Sequence, residues 1–330
     1  MPPQPSARFF SAAEAQLSDE KGAVRLTSIQ ARLAQCLYLL AHSRLNHCWS
    51  LFGTTAHLML ALGIHRKTRV DGSSNVDHVD LECRKRTFWC AYNLDTYLGA
   101  ALGRPRTFHD EDIDQELPMC VSDDRPGPGK ISSLAVTGQQ SVMSGSVAHI
   151  KLSRIVGNIL RDMYSIRPPS TATKLKLAAK YSGEIDFWRK SISYLVDTAS
   201  VDSSLLRPIF IRQRNVLNMA CWHAQILVHR PFLLSSFASL ANSLGGSSLG
   251  QHNSSNGNRR GGDPSGQHAQ LCLEAAANIV GLVDDLNSRG ELYSTFWVCW
   301  PSYLISTTFS SHNIPNTHTH SSPTTSPSAP

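Results

Sequence analysis

The feature that most constrains this fold is a long helical periodicity that ends at a sharp stop. From Glu82 onward the core-spaced positions are Cys83, Thr87, Cys90, Ala91, Leu94, Leu98 and Leu102. Asp77 or Asp80 can cap the first turn. Gly103 followed by Pro105 ends a helix, because glycine tolerates a left-handed backbone and proline cannot continue the hydrogen bonds. The sequence therefore predicts one strong amphipathic helix with defined ends.

The charge reverses across this stop. Arg84, Lys85 and Arg86 lie in the helix, whereas the next stretch, from Thr107 to Asp124, has no Lys or Arg. Its carboxylates are Asp110, Glu111, Asp112, Asp114 and Glu116. Carboxylates in such a loop can cap helix termini or accept a two-pronged guanidinium. We therefore predict capping, or ion pairs from this loop to Arg84, Arg86, Arg104 or Arg106.

Two other interpretations of these charges are weaker. A magnesium site needs carboxylates that face one cavity, but this run follows a helix stop and ends at Leu117-Pro118. A second acidic pair, Asp284-Asp285, lacks further ligands. Three consecutive basic residues point around a helix rather than to one face, which disfavours a DNA-contacting patch at 84–86. We predict no metal-binding, cofactor-binding or catalytic residue in this chain.

The rest of the chain repeats the helical pattern. Core-spaced apolar residues predict helices over 27–42, 46–64, 146–166, 173–197, 209–229, 268–288 and 292–309, with Pro208 as a first helical residue. Pro231 predicts a break or kink, after which 232–244 resumes the helix. No strand pattern or fixed repeat occurs. The fold class is therefore all-α, a single domain of about eight helices.

Domain edges follow composition. We interpret 1–25 as a loose lead-in, 26–311 as the domain, 245–267 as a low-complexity insertion within it, and 312–330 as a disordered tail rich in Ser, Thr, Pro and His. The connection from Val121 to Gly145 has no clear period and is expected to be a mobile surface segment.

Composition excludes several classes of protein. A hydrophobic content of 41% can build a core, and a net charge of +6 is spread along helices rather than concentrated. The eight cysteines are widely spaced, with no pair two residues apart, so neither a zinc site nor a disulfide scaffold is indicated. There is no apolar run of roughly 18 residues, and we expect no membrane partner. No phosphate loop or nucleophile elbow is present, so we expect no enzyme.

Five pieces of the sequence, in order, resemble a known family. The central piece spans 81–118 and combines Arg84-Lys85-Arg86-Thr87-Phe88-Trp89, Asp95, Leu102-Gly103-Arg104-Pro105 and Asp110-Glu111-Asp112-Ile113-Asp114. The others are 30–40 with 46–53, then 61–66, 229–233 and 272–276. Together they are similar to the fungal-specific transcription factor domain, the middle homology region of fungal binuclear zinc-cluster regulators. We call residues 81–118 the signature segment.

The resemblance implies a helical regulatory domain of a nuclear transcription factor. Such a domain restrains or transmits activation of RNA polymerase II transcription for a metabolic or stress pathway, in some members in response to a small molecule. In the family, DNA is bound by an N-terminal six-cysteine cluster that holds two zinc ions. Here the first cysteine is Cys36, within a domain helix, so DNA is expected as a partner only through that missing cluster. Homodimerisation, an inducer and transcriptional co-regulators are further implied partners.

The residues that carry the resemblance are the candidate functional positions. They are Arg84, Arg86, Phe88, Trp89, Asp95, Gly103, Arg104, Pro105, Asp110, Asp112 and Asp114. A purely structural role for them stays open as the alternative to a regulatory one. The competing functions are a DNA-independent interaction module and a metabolite-binding protein or enzyme on the same scaffold, since a helix bundle supports many functions.

Overall fold

The computed structural model describes residues 5–68, 77–121, 141–197, 208–245 and 264–292. Its helices are α1 (Pro5–Ser18), α2 (Leu26–Ala41), α3 (Leu45–Leu62), α4 (His78–Leu102), α5 (Val142–Met163), α6 (Thr171–Ser191), α7 (Ser193–Val196), α8 (Pro208–Gly245) and α9 (Pro264–Ser288). A 3₁₀ turn occupies Asp110–Asp112. These ranges contain no β-strand, and the predicted all-α class is confirmed.

The predicted ends of α4 are also confirmed. The Asp77 carboxylate accepts the Val79 N–H at 2.8 Å, which satisfies one of the free donors of the first turn. Gly103 has φ 62°, a left-handed value that glycine adopts without strain. α8 begins at Pro208, as predicted. The signature segment is therefore a long capped helix followed by a loop.

The core consists of three clusters that α5 and α8 join. Apolar side chains of α2, α3 and α4 form one cluster, and Ile150 of α5 belongs to it. The opposite side of α5, through Leu152, enters a second cluster with α6, α7 and α8. α8 and α9 form the third cluster. α5 thus lies between the signature helix and the C-terminal helices.

α4 is not the one-sided amphipathic helix that its periodicity predicts. Cys90 is exposed, and Cys83 and Leu102 are only half-buried. Glu82 and Asp95 are buried, with 7% and 4% of their surface exposed. α4 packs against α2, α3 and α5, so its middle turns are enclosed on most sides. Burial of its charged residues is the main correction to the sequence-based expectation.

The segment interpreted as a loose lead-in contains a helix, α1. Phe10 stacks on Tyr38 of α2 with ring centroids 4.6 Å apart. No residue of α1 is fully buried. Its apolar pattern is correspondingly weak, which explains why periodicity did not predict this helix.

Two further boundaries differ from prediction. α8 continues through Pro231, so of the predicted break or kink the break is wrong and the kink stays a prediction. α9 begins at Pro264, so residues 264–267, interpreted as the end of the insertion, are helical. The predicted helix after Leu292, the tail 312–330 and residues 246–263 lie outside the described residues, as do residues 122–140. No helix in the described ranges has the length and apolarity needed to span a membrane.

Candidate functional site

Asp95 fixes the loop that follows α4. Both of its carboxylate oxygens lie 3.0 Å from the Thr107 N–H, and Oδ2 also accepts the Phe108 N–H at 2.9 Å. Burial raises the pKa of Asp95, while the backbone donors of Phe108 and Thr107 oppose that rise. These loop amides therefore donate to the Asp95 carboxylate, where amides in a helix or sheet would donate to backbone carbonyls. The predicted site residue therefore has a clear structural task.

Arg106 lies between α4 and α5. Its Nη1 is 3.4 Å from both Tyr92 Oη and Thr96 Oγ1. A Cβ added at Gly157 of α5 would lie 2.8 Å from the Arg106 Cζ, and one at Gly99 would lie 3.0 Å from its Cγ. The Arg106 guanidinium thus occupies the space that a side chain at Gly157 of α5 would fill. The sequence indicated Arg106 as a partner for carboxylates but did not place it in the site.

Among the described residues, the ion pairs between the acidic loop and arginine are made with α5. Asp110 accepts the Tyr92 hydroxyl at 2.8 Å and lies 3.8 Å from Arg154. Glu111 lies 3.7 Å from Arg161. Burial raises the pKa of Tyr92 to about 12, so the phenol remains a donor. Tyr92, Arg154 and Arg161 were not predicted, because helical spacing does not reveal which helix faces a loop.

Arg84 and Arg86 each form an ion pair within α4. Arg84 Nε lies 2.6 Å from Asp80, and Arg86 Nε lies 3.0 Å from Glu82. Glu82 also accepts the Met119 N–H at 3.0 Å. Arg86 therefore orients the Glu82 carboxylate, and Glu82 in turn binds the backbone at the end of the loop.

Arg104 has no carboxylate partner among its described contacts. Its Nη2 donates to Asn46 Oδ1 at 2.7 Å, and its Cζ lies 4.6 Å from the centre of the Trp49 ring. Trp49 is 38% exposed. Gly103 and Pro105, on either side of Arg104, are exposed. Arg104 consequently ties the helix stop to the start of α3.

The aromatic pair of the signature is part of the core. Phe88 and Trp89 are buried, and their ring centroids lie 5.1 Å apart. Trp89 Nε1 donates to the carbonyl of Glu116 at 2.8 Å, and the Phe88 ring lies 5.4 Å from Phe108. Both residues thus pack against the loop as well as against neighbouring helices.

The distal part of the loop contacts the segment after α3. Asp114 accepts the Lys67 N–H at 2.7 Å, and Gln115 Nε2 donates to the carbonyls of Ile64 and Arg66 at 2.9 Å each. Gln115 is buried and was not predicted, since an amide in a polar loop gives no periodic signal. Asp112, in the 3₁₀ turn, is exposed.

Glu116 links two lysines across this junction. Its carboxylate lies 2.5 Å from Lys67 and 2.8 Å from Lys85. Hydrogen bonds from Lys67 and Lys85 lower the pKa of Glu116 to about 2. The carboxylate is therefore ionised throughout the physiological range.

The three aspartates of the loop do not converge on one point. Asp110 accepts from Tyr92 and Asp114 accepts from Lys67, on different sides of the loop. In the described ranges, no group of three His, Cys, Asp or Glu side chains is placed to hold a metal ion. The site brings α3, α4, α5 and one loop into a single polar network.

Comparison with known proteins identifies a family profile and several relatives. The profile of the fungal specific transcription factor domain matches residues 3–190, which include α1 to α5, the signature segment and nearly all of α6. "Activator of stress genes 1" of Saccharomyces cerevisiae is 28% identical over 298 residues, which cover 88% of this chain and 28% of that protein. The "Transcriptional activator protein acu-15" of Neurospora crassa is 26% identical over 71% of this chain and 25% of its own length.

A third relative is named as a regulator of a transporter. The "ABC-transporter-regulating transcription factor" of Aspergillus fumigatus is 27% identical over 51% of this chain and 18% of its own length. The chain thus spans less than a third of each of these three regulators. No solved structure matches the chain. Because the profile match covers more than half of its residues, this chain belongs to the fungal-specific transcription factor domain family.

Proposed function

We propose that this chain is the regulatory part of a fungal transcription regulator and that it controls the activity of a DNA-binding region outside the described residues. The match of the family profile to residues 3–190 supports this proposal most directly. Relatives are named as activators of stress genes and as a regulator of transporters. A metabolic or stress pathway is accordingly the proposed target, with the nucleus as the compartment.

The partners follow from the same proposal. DNA and two zinc ions would be bound by a separate cysteine cluster. Co-regulators and a second copy of the regulator are proposed protein partners. Regulation requires that a ligand or partner binds one arrangement of the domain better than another. We propose that a small molecule supplies this difference in binding free energy.

A reporter assay with an unrelated DNA-binding domain tests regulation and does not depend on the natural DNA site. The chain is inserted between that domain and an unrelated activation domain, and reporter output is compared with a fusion that carries a flexible linker of equal length. The proposal predicts that the chain changes output several-fold at equal protein level. Equal output from both fusions, under every growth condition tried, would contradict it.

Variants of the signature separate a regulatory role from a structural one. Arg84→Gln, Asp112→Asn and Arg104→Gln alter exposed or half-buried positions, whereas Asp95 lies inside the core. A variant that changes reporter output while its unfolding midpoint stays at the wild-type value identifies a control residue. If output changes only together with stability, the signature holds the fold and has no separate regulatory role.

A further inference from the structure

A groove of about 520 Å³ runs between α5 and α6, away from the signature segment. Its lining residues are Lys151, Ile155, Lys180, Gly183, Glu184, Phe187, Trp188 and Ser191. The α6 residues recur every three or four positions, so they form one face of that helix. The volume lies in the range of about 300–1,000 Å³ that is typical of small-molecule sites.

Gly183 opens the groove. A Cβ built at Gly183 would meet no atom within 4 Å, so the space above it is free. Glycine inside a helix costs about 1 kcal/mol relative to alanine. Gly183 is therefore not required for helix packing in the described structure. Its effect is to leave room on the face of α6 that lines the groove.

The floor of the groove is apolar and aromatic. Trp188 is buried, and its Nε1 already donates to the Ala148 carbonyl at 2.8 Å, so only its ring is available. Phe187 is a large apolar side chain that is 76% exposed. Ile155 contributes from α5 and is half-buried. An apolar body bound here would remove the exposed surface of Phe187 and part of Ile155 from water, which is favourable. Trp188 is 3% exposed, so it would add contact but little further burial.

The rim of the groove carries a net positive charge. Lys180 lies 3.9 Å from Glu184 and 4.7 Å from the centre of the Tyr181 ring, so its charge is partly compensated. Lys151 is exposed on α5, and no ion pair or hydrogen bond involves its ammonium group among the described residues. The rim carries the ammonium groups of Lys151 and Lys180 and the single carboxylate of Glu184, so its net positive charge attracts an anion. Lys151 is the cation that an incoming anionic group would meet.

We propose that the groove between α5 and α6 binds a small amphipathic anion, whose apolar ring or chain covers Phe187 and Ile155 and whose carboxylate, sulfonate or phosphate contacts Lys151. This inference builds on the proposed function, because it gives the small-molecule inducer a site and a chemical class. α5 also packs against α4 and α8. A ligand on α5 therefore contacts the helix that joins the signature segment to the C-terminal helices.

A pair of related dyes tests the proposal on the purified chain. 1-Anilinonaphthalene-8-sulfonate carries a sulfonate on an aromatic body, and N-phenyl-1-naphthylamine has the same rings without the charge. Fluorescence titration gives the affinity and stoichiometry of each dye. The proposal predicts one saturable site for the sulfonate dye in the wild-type chain, with the fold monitored by urea unfolding.

Three substitutions give this titration its specificity. Gly183→Leu places a side chain in free space of the groove, so it should weaken both dyes at least about tenfold while keeping the helix at least as stable. Lys151→Gln should weaken only the sulfonate dye, by about threefold, as expected for one partly exposed charge pair. Lys190→Gln, at a lysine of α6 that does not line the groove, is the control and should change neither affinity.

The outcomes are distinct. If folded Gly183→Leu binds both dyes like the wild type, or if Lys151→Gln and Lys190→Gln are equivalent, the groove is not the binding site. If Gly183→Leu instead changes the mass measured by light scattering without changing dye binding, the groove is a contact between chains and the proposal is wrong. Dye binding is measured without DNA, so its failure leaves the reporter test of regulation unaffected. Conversely, a negative reporter result leaves the binding result standing.

Discussion

The signature segment and the α8–α9 hairpin are held in different ways. In the signature segment, buried polar groups bind loop backbone, as Asp95 does with the amides of Thr107 and Phe108. α9 packs against α8 through apolar side chains, and its described polar contact with α8 is His268 to His229, at 3.0 Å. The first arrangement depends on particular atoms at particular distances. The second depends mainly on apolar area.

This difference bears on how each region tolerates change. Apolar contacts accept swaps of similar volume, usually for less than about 1.5 kcal/mol. A buried carboxylate with backbone partners accepts almost none, because its removal leaves donors unsatisfied. The family profile ends at residue 190, before α8 begins. The resemblance to the family nevertheless continues into α8 and α9, at 229–233 and 272–276.

The largest expected effect is that of Asp95→Ala. It leaves the amides of Thr107 and Phe108 without an acceptor, which should lower the free energy of unfolding by about 3 kcal/mol. Urea denaturation followed by circular dichroism measures the change. Asp114→Ala, which removes one exposed bond to the Lys67 amide, is the matched control and should cost less than about 1 kcal/mol. Similar losses in both variants would remove the distinction between buried and exposed carboxylates.

Acidification should affect the α8–α9 hairpin at milder pH than it affects Glu116, whose pKa is lowered to about 2. Burial, with a smaller contribution from His268, lowers the pKa of His229 to about 4. Between pH 6.5 and 4 the unfolded chain therefore binds a proton that the folded chain excludes, and stability falls as the pH falls. At pH 5 this costs about 2 kcal/mol relative to pH 7.

His149 and His223 share this window, since burial lowers the pKa of each to about 4. The informative quantity is therefore the difference between wild type and His229→Leu. The variant should lose about 2 kcal/mol less than the wild type between pH 7 and pH 5, measured as urea midpoints. Equal losses would show that His229 does not titrate with unfolding.

The same substitution at two glycines should have opposite effects. Gly157→Ala places a methyl group 2.8 Å from the Arg106 Cζ and forces the guanidinium out of its position, which should cost about 1 kcal/mol after the gain in helix propensity. Gly183→Ala meets no atom within 4 Å and should gain up to about 1 kcal/mol. Thermal unfolding of both variants decides this. Stabilisation by Gly157→Ala would mean that Arg106 is not fixed against α5.

The smallest expected effect is that of Arg104→Ala. Its hydrogen bond to Asn46 and its contact with the Trp49 ring are partly exposed, so the loss should be about 0.5–1 kcal/mol. Reporter output of the variant should be measured beside its melting temperature. Wild-type values of both would exclude a structural and a regulatory role for Arg104.

The sequence predicted those features that are determined by residues adjacent in the chain. Asp77 at the start of α4, Gly103 at its end and Pro208 at the start of α8 each act on adjacent backbone, so local chemistry was sufficient. The all-α class followed from the same periodicity. α1 was missed because none of its residues is fully buried.

The candidate site was predicted only in part, because its bonds join distant stretches. Asp95 is not among the core-spaced positions of α4, yet it is buried because the loop folds back on it. Arg106 depends on Gly157, fifty-one positions later in the sequence, and no periodicity links them. Resemblance to the family selected the right segment. It did not reveal which residues contact each other.

Hydrogen exchange tests most directly whether the loop of the signature segment is part of the core. We predict that the amides of Thr107 and Phe108 exchange as slowly as the middle of α4, only by global unfolding, because Asp95 accepts both. Amides of α9 should exchange faster, by opening of the α8–α9 hairpin alone. Exchange of Thr107 and Phe108 at the rate of an unstructured peptide would contradict a loop that Asp95 holds in the core.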